Sequence, residues 1–352
     1  MSNILENIYP RLHFGPMSKN IVDAVISVAT ETQNSYGLIA SRRQVDYDGG
    51  YVNNWKTGTL CHYIHSKTDY VFFCRDHGGP GQGGSESRNT MKEAKRSLRE
   101  DSRYTDIIHI DPWKMVNETS FHKGIEMTID LLKYCYKISN NASFEIGTEE
   151  AIHKYEPSQL AELLRTLKNR CSPDLFYNIK YACIQSGVGL DIVNRKNNGT
   201  YNQSRFDEFI KVCKEYNVMS KEHNGDFLHI NDVEDRFDGG LSALNIAPEL
   251  ATIESMAIWD MLKYAGEYEN MQKIWQLCFD HAPWQKWVDP EYAPMEEDKE
   301  KFAHAFSHYI YNHAEFRKIL MRCNLDNSEI INTLKQHIYK LDEIAYGKNI
   351  NF

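Results

Sequence analysis

No two cysteines in this sequence are spaced C-x-x-C, no stretch of about 18 uncharged apolar residues occurs, and no glycine run ends in G-K-[ST]. Each absence removes a class of protein. The 8 cysteines stand singly, several inside apolar runs (Cys74, Cys183, Cys278), where a reduced thiol behaves as a small hydrophobe. Thiolate zinc and a disulfide framework are therefore not expected. The missing apolar run argues against a membrane helix, and the opening MSNILENIYPRLHFG has no basic n-region, so a cytoplasmic location is expected. Positive charge is also in short supply. With 40 Lys and Arg against 49 Asp and Glu, the net charge is −9, which excludes a broad nucleic-acid footprint but leaves small anions, since one or two local cations suffice for those. Four N-x-S/T sequons (Asn117, Asn141, Asn198, Asn202) are chance matches without a secretory signal.

What the sequence does contain is a repeated alternation. Of 352 residues, 41% are hydrophobic, enough for a large core. From residue 10 to about 260, short apolar or β-branched runs (RLHFG, YGLIAS, YVFFC, DIIHI, SFEIG, YACIQ, VMSKE, SALNIA) alternate with segments such as KNIVDAVISVATETQ and RFDEFIKVCKEY, whose apolar residues recur at i, i+3, i+4 and i+7. Eight strand candidates separated by helices predict an α/β fold, the (β/α)8 TIM barrel, over residues 1–259. A doubly wound open sheet is the competing topology, but it would want G-x-G-x-x-G after the first strand, and HFGPMSKN is not that. Beyond residue 260 the pattern is helical and rich in aromatics, which predicts a C-terminal helical extension over 260–352.

A barrel of this kind carries its chemistry at the C-terminal ends of its strands. There the sequence collects Arg42 and Gln44, Asp76 and His77, Asp111, Glu145 and Glu149, Asp191, Glu222 and His223, and Asn245. Two imidazoles with several carboxylates suit a divalent metal: zinc first, with manganese or iron as alternatives. Such a metal polarises a carbonyl and stabilises an enediolate, while an ionised carboxylate nearby, Asp76 or Asp111, moves the proton. The loop that follows, GGPGQGG from Gly78 and Gly79 onward, matches no P-loop; its backbone N–H groups could approach a phosphate, or it could be a long solvent turn.

Six segments in order also resemble a known family. IASRRQVDYDGGY, CRDHGGPGQ, FEIGTEE, IQSGVGLD, KEHNGDF and ALNIAPELATIESMAIW are similar to segments of the non-catalytic accessory subunit of class II tagatose-bisphosphate aldolase, itself related to the catalytic class II fructose- and tagatose-bisphosphate aldolases. The resemblance implies a TIM barrel in a sugar-phosphate setting. By it, Asp76 stands at the catalytic acid, His77 and His223 at metal ligands, Asn245 at a substrate-contacting asparagine, and Glu145 at a secondary glutamate. The middle metal histidine of the catalytic enzymes has no counterpart in SGVGLDIVN, and the accessory family's glutamate there is Gly189. A third protein ligand is then expected from Asp191, Glu149, Glu145 or Glu222. Asp76, Asp111 and Glu149 are the expected catalytic carboxylates; Arg42, Gln44, Gly78, Gly79 and Asn245 are expected to bind substrate. Two functions follow as expectations: a metal-dependent aldolase-like lyase or epimerase for a phosphorylated or otherwise anionic sugar, or a non-catalytic subunit that stabilises a separate aldolase. The expected partners are the small anionic sugar and either a catalytic aldolase subunit or further copies of the chain, with neither nucleic acid nor membrane.

Overall fold

The structure, a computed structural model, describes residues 8–147, 154–289 and 291–347. Eight parallel strands close into a barrel in sequence order: β1 Leu12–Phe14, β2 Tyr36–Ser41, β3 Val71–Gly78, β4 Ile107–Ile110, β5 Ser143–Ile146, β6 Ile179–Ile184, β7 Met219–Glu222 and β8 Ala243–Ile246. Closure is made by β8 on β1, with Leu12 opposite Leu244 and Phe14 opposite Ile246. The outer layer follows in turn: α1 Lys19–Thr32, α2 Thr57–His65, α3 Met91–Tyr104, α4 Phe121–Ile138, α5 Pro157–Arg170, α6 Gln203–Tyr216, α7 Ile230–Asp238 and α8 Pro248–Tyr264. After these come α9 Tyr268–His281, α10 Lys299–Phe306, α11 Ala314–Cys323 and α12 Asn327–Tyr346. The barrel predicted by the eight runs is therefore present, with a helical C-terminal region.

Local chemistry places the ends of these elements. Ser18 accepts the N–H of Ile21 and so caps α1, whose buried stripe (Ile21, Val22, Val25, Val28, Ala29) faces the barrel; Gln33, in the left-handed region, stops it. Proline opens α5 and α8, where its missing N–H is no loss. In α12 the buried residues Ile330, Leu334, Ile338 and Leu341 form one stripe, and this helix packs along α1 and α8. Tyr346 at its end receives the N–H of Arg11 at 2.8 Å, tying the last helix to the first strand. Among the described residues no helix is long and apolar enough to cross a membrane.

The barrel interior is built in two tiers. Successive residues of a strand point to opposite faces, so each inward residue recurs at i+2. The lower tier is apolar: Ile39, Cys74, Ile107, Tyr181 and Ala243 pack together at the strand beginnings. Two residues further along the same faces come His109, Glu145, Lys221 and Asn245, all buried. The change from apolar to ionisable inside one closed barrel sets the level at which chemistry can begin.

Candidate functional site

Three imidazoles meet at that level. The ring centroids of His77, His109 and His223 lie 5.0, 5.1 and 5.2 Å apart, a nearly equilateral triangle. With Asp76 they form a set in which one ligand atom from each residue lies within 4.8 Å of all the others.

Each imidazole reaches this position by a different route. His109 follows simple alternation in β4, two residues beyond Ile107 and with the same facing as Asp111. His223 continues the inward row of β7 through Lys221. His77 should by alternation point outward, because Asp76 before it points in. The register between β3 and β4 shifts between Arg75 and Gly78, and His77 takes φ = 48°, a left-handed conformation uncommon for a side chain of this size. That bulge delivers two consecutive side chains to one mouth. Gly78 and Gly79 make it sterically possible: a Cβ on Gly79 would lie 2.0 Å from the Asp111 carbonyl oxygen, and one on Gly78 would lie 2.8 Å from that of His109. The two glycines expected to bind substrate thus serve close approach of the β3 loop to the end of β4.

Hydrogen bonds from behind fix the tautomers. His77 Nδ1 is 2.6 Å from Asp111 Oδ2; a carboxylate only accepts, so Nδ1 holds the proton and Nε2 the lone pair. His223 Nε2 is 2.6 Å from Glu145 Oε1, so Nε2 holds a proton, and the ring also bonds the Cys183 thiol. His109 Nε2 is 3.2 Å from the Gly147 carbonyl oxygen, and its buried Nδ1 has no hydrogen-bond partner. An unpaired nitrogen at the centre of a buried protein is costly unless something meets it. Three imidazoles with a carboxylate beside them suit a divalent cation such as zinc, which would take the place of a proton on His223, and support from the rear is how metal-ligating histidines are commonly held.

The electrostatics separate the imidazoles, keeping His109 neutral and favouring the charged form of His223. Burial holds His109 below the ordinary imidazole range. Burial would do the same to His223, but the Cys183 thiol and the Glu145 carboxylate reverse it and raise the group well above that range. Burial alone would lift Glu145, yet Lys221, His109 and His223 keep it well below an ordinary carboxylate, and Lys221 Nζ lies 2.6 Å from its Oε2. Asp111 is also lowered: desolvation is outweighed by the bond from His77. It receives Gln82 Nε2 at 2.7 Å as well, and Gln82 Oε1 in turn accepts Lys114 Nζ at 2.8 Å.

The residues expected from sequence are distributed as follows. Asp76, His77 and His223 come together, and the third imidazole is His109, which the search for a third ligand among carboxylates passed over. Glu145 stands behind His223 as its hydrogen-bond acceptor and is outside the four-residue set. Glu222 faces away from the barrel, because it neighbours His223 and alternation turns it outward to Arg236 Nε at 2.8 Å. Asp191 accepts the N–H and side-chain amide of Asn194 within its own turn, at 3.0 and 2.9 Å. Glu149 lies outside the described residues. Arg42 lines the cavity above the imidazoles, but its guanidinium is committed to Asp46 at 3.2 Å and to the carbonyls of Gly79, Arg88 and Glu93. Gln44 and Asn245 also line that cavity, and the buried Oδ1 of Asn245 has no partner.

The cavity has a volume of about 200 Å³. Its floor carries Asp76, His77 and His223, and one wall comes from far along the chain: Lys286 and Trp287 from the turn Trp284–Trp287, and Tyr309 from the turn Ser307–Ile310. The indole N–H of Trp287 donates to Tyr309 Oη at 2.9 Å, and the amide of Asn312 donates to the Tyr51 carbonyl, fastening this wall to the β2 loop. Nothing in the sequence flags that juxtaposition.

No protein-family model matches the chain, and no curated protein matches it in sequence. Solved structures do match in fold. One described as a probable tagatose 6 phosphate kinase from Sinorhizobium meliloti 1021 aligns with a TM-score of 0.71 at 14% identity, covering 95% of this chain and 90% of that one. The YdjI aldolase from Escherichia coli K12 aligns with a TM-score of 0.56 at 12% identity, covering 99% and 97%. The fructuronate-tagaturonate epimerase UxaE from Cohnella laeviribosi aligns with a TM-score of 0.58 at 11% identity, covering 96% and 81%. At these identities the likeness establishes the fold alone, a (β/α)8 TIM barrel.

Proposed function

We propose that the protein is a metal-dependent, class II aldolase-like enzyme that cleaves, condenses or epimerises a phosphorylated or otherwise anionic sugar. The observation that carries this reading is the triangle of His77, His109 and His223 with Asp76 beside it, at the mouth of a barrel. A divalent cation bound there would act as a Lewis acid on a substrate carbonyl. The chain's own residues would do the rest. Asp76, 3.7 Å from His77 Nε2 and partly exposed to the cavity, is placed to take and return a proton at the carbon next to that carbonyl. Asn245 Oδ1, buried and without a partner, offers an acceptor for a sugar hydroxyl. Asp111 and Glu145 hold the imidazoles in orientation. That both an aldolase and a sugar-acid epimerase share this fold supports the choice of reaction class.

The test is metal analysis of the purified protein, then assay of a panel of ketose phosphates and sugar acids with metal supplied. Turnover of at least one is expected, and Asp76→Asn should lower it roughly 10²–10⁴-fold with little change in KM. If no member of the panel turns over and the protein instead activates a catalytic aldolase mixed with it, the accessory-subunit function takes the place of this one.

A further inference from the structure

Three cations with no carboxylate partner converge on the cavity from separate parts of the chain. Arg43 follows β2, Lys114 follows β4, and Lys286 comes from the turn beyond α9. Among the described residues none of the three makes an ion pair; Lys114 donates to Gln82 Oε1, a neutral acceptor. Lys286 is held over two rings, with Nζ 4.6 Å from the centroid of Trp287 and 5.5 Å from that of Tyr309. Arg43 passes over the glycine loop, where a Cβ on Gly84 would lie 3.1 Å from its Cγ. The crowding has a measurable signature: lost hydration and the charges of Arg43 and Lys114 push the Lys286 ammonium down to about 7. Unpaired like charges around one cavity repel, and an anion among them relieves the repulsion while gaining charge-assisted hydrogen bonds.

We propose that Arg43, Lys114 and Lys286 form an anion subsite that holds the single terminal phosphate or carboxylate of the substrate. This rests on the reading of the floor as the reaction centre, and it narrows the substrate class. Among the described residues the other cation that lines the cavity, Arg42, has its guanidinium bonded to Asp46 and backbone carbonyls. The three cations line a single cavity, and the substrate class the subsite fits is a sugar monophosphate or a sugar acid. The C-terminal region is on this view part of the substrate site, since it provides Lys286 and the aromatic surface that holds it. The subsite is also joined to the imidazole triangle by a chain of hydrogen bonds, Lys114 to Gln82 to Asp111 to His77.

The experiment is calorimetric titration of the full chain with inorganic phosphate and, separately, with glucuronate, for the parent protein and for Lys286→Gln, Arg43→Gln and His109→Ala. Phosphate or glucuronate binding is expected in the parent, weakened about tenfold or more by each of the two charge removals, with metal content unchanged in both. Which of the two probes binds more tightly distinguishes the phosphate from the carboxylate class. Among the described residues Lys286 makes no hydrogen bond or ion pair that its substitution would strand, so folding is not threatened. His109→Ala should lose metal and keep the anion. Equal binding to the parent and to both charge-removal variants, or no binding of either probe to the parent, overturns the subsite; retention of metal by His109→Ala overturns the reaction centre and leaves the subsite standing.

Discussion

The two faces of β3 carry two buried ionisable clusters of opposite character. On the outer face Arg75 donates to Asp101 Oδ1 at 2.7 Å and to the carbonyls of Ala40 and Val45 at 2.6 and 2.8 Å. Beside it Asp46 receives Arg42, Arg88, Ser97 and the N–H of Tyr47. The charges there are opposed and paired, and the groups they join are the β2 loop, β3 and α3. On the inner face the imidazoles are held from behind by Asp111, Glu145 and the Gly147 carbonyl, and one ligand atom from each gathers with one from Asp76 within 4.8 Å of one another. Opposite charges that cancel within a cluster mark one that holds elements together. Three imidazoles gathered at one point have no such cancellation among themselves, which is what sets the inner cluster apart.

The contrast is sharpest in what loss of one member should do. His109→Ala is expected to abolish divalent-metal uptake, read by elemental analysis after dialysis, while costing roughly 1–2 kcal/mol of stability, since the one hydrogen bond it loses is to Gly147. On the other face the effect is reversed: Arg75→Met strands Asp101 in the interior and should cost about 3–5 kcal/mol, read from the urea midpoint, with metal content unaltered. Glu145→Gln probes the support itself. It should weaken metal affinity roughly 10–100-fold in a competition titration against a chelator, without abolishing uptake. Equal metal loss in Arg75→Met and His109→Ala would dissolve the distinction between the two faces.

The strands were legible in the sequence because short apolar or β-branched runs recur between helical patterns, from YGLIAS to SALNIA. The site was legible in part. His77 and His223 stand at strand ends where function is expected, whereas His109 lies inside DIIHI and looks like one polar residue in an apolar strand. Counting its facing from Asp111 would have found it. The same count would have turned Glu222 away, since adjacent residues in a strand cannot share a face. Arg42 was indistinguishable from Arg43 by type, and only the fold shows one guanidinium closed on Asp46 and the other at the cavity. Lys286 was beyond reach of any local pattern: its neighbours Arg43 and Lys114 are brought to it by tertiary packing alone.

The wall bearing Lys286, Trp287 and Tyr309 gives the cavity a history as well as a shape. During synthesis all eight strands, and with them every imidazole of the triangle, precede this segment out of the ribosome, and the last helix that ties back to Arg11 follows it. The mouth is therefore finished after the barrel that it belongs to, and a chain truncated between β8 and the aromatic turn would keep the imidazole triangle, Arg43 and Lys114 but lack Lys286 and the aromatic wall. The imidazole triangle, Arg43 and Lys114 are written in the earlier stretch of the message, and Lys286 with its aromatic support in the later one, so a change in the later stretch alters one side of the mouth while the other is left untouched.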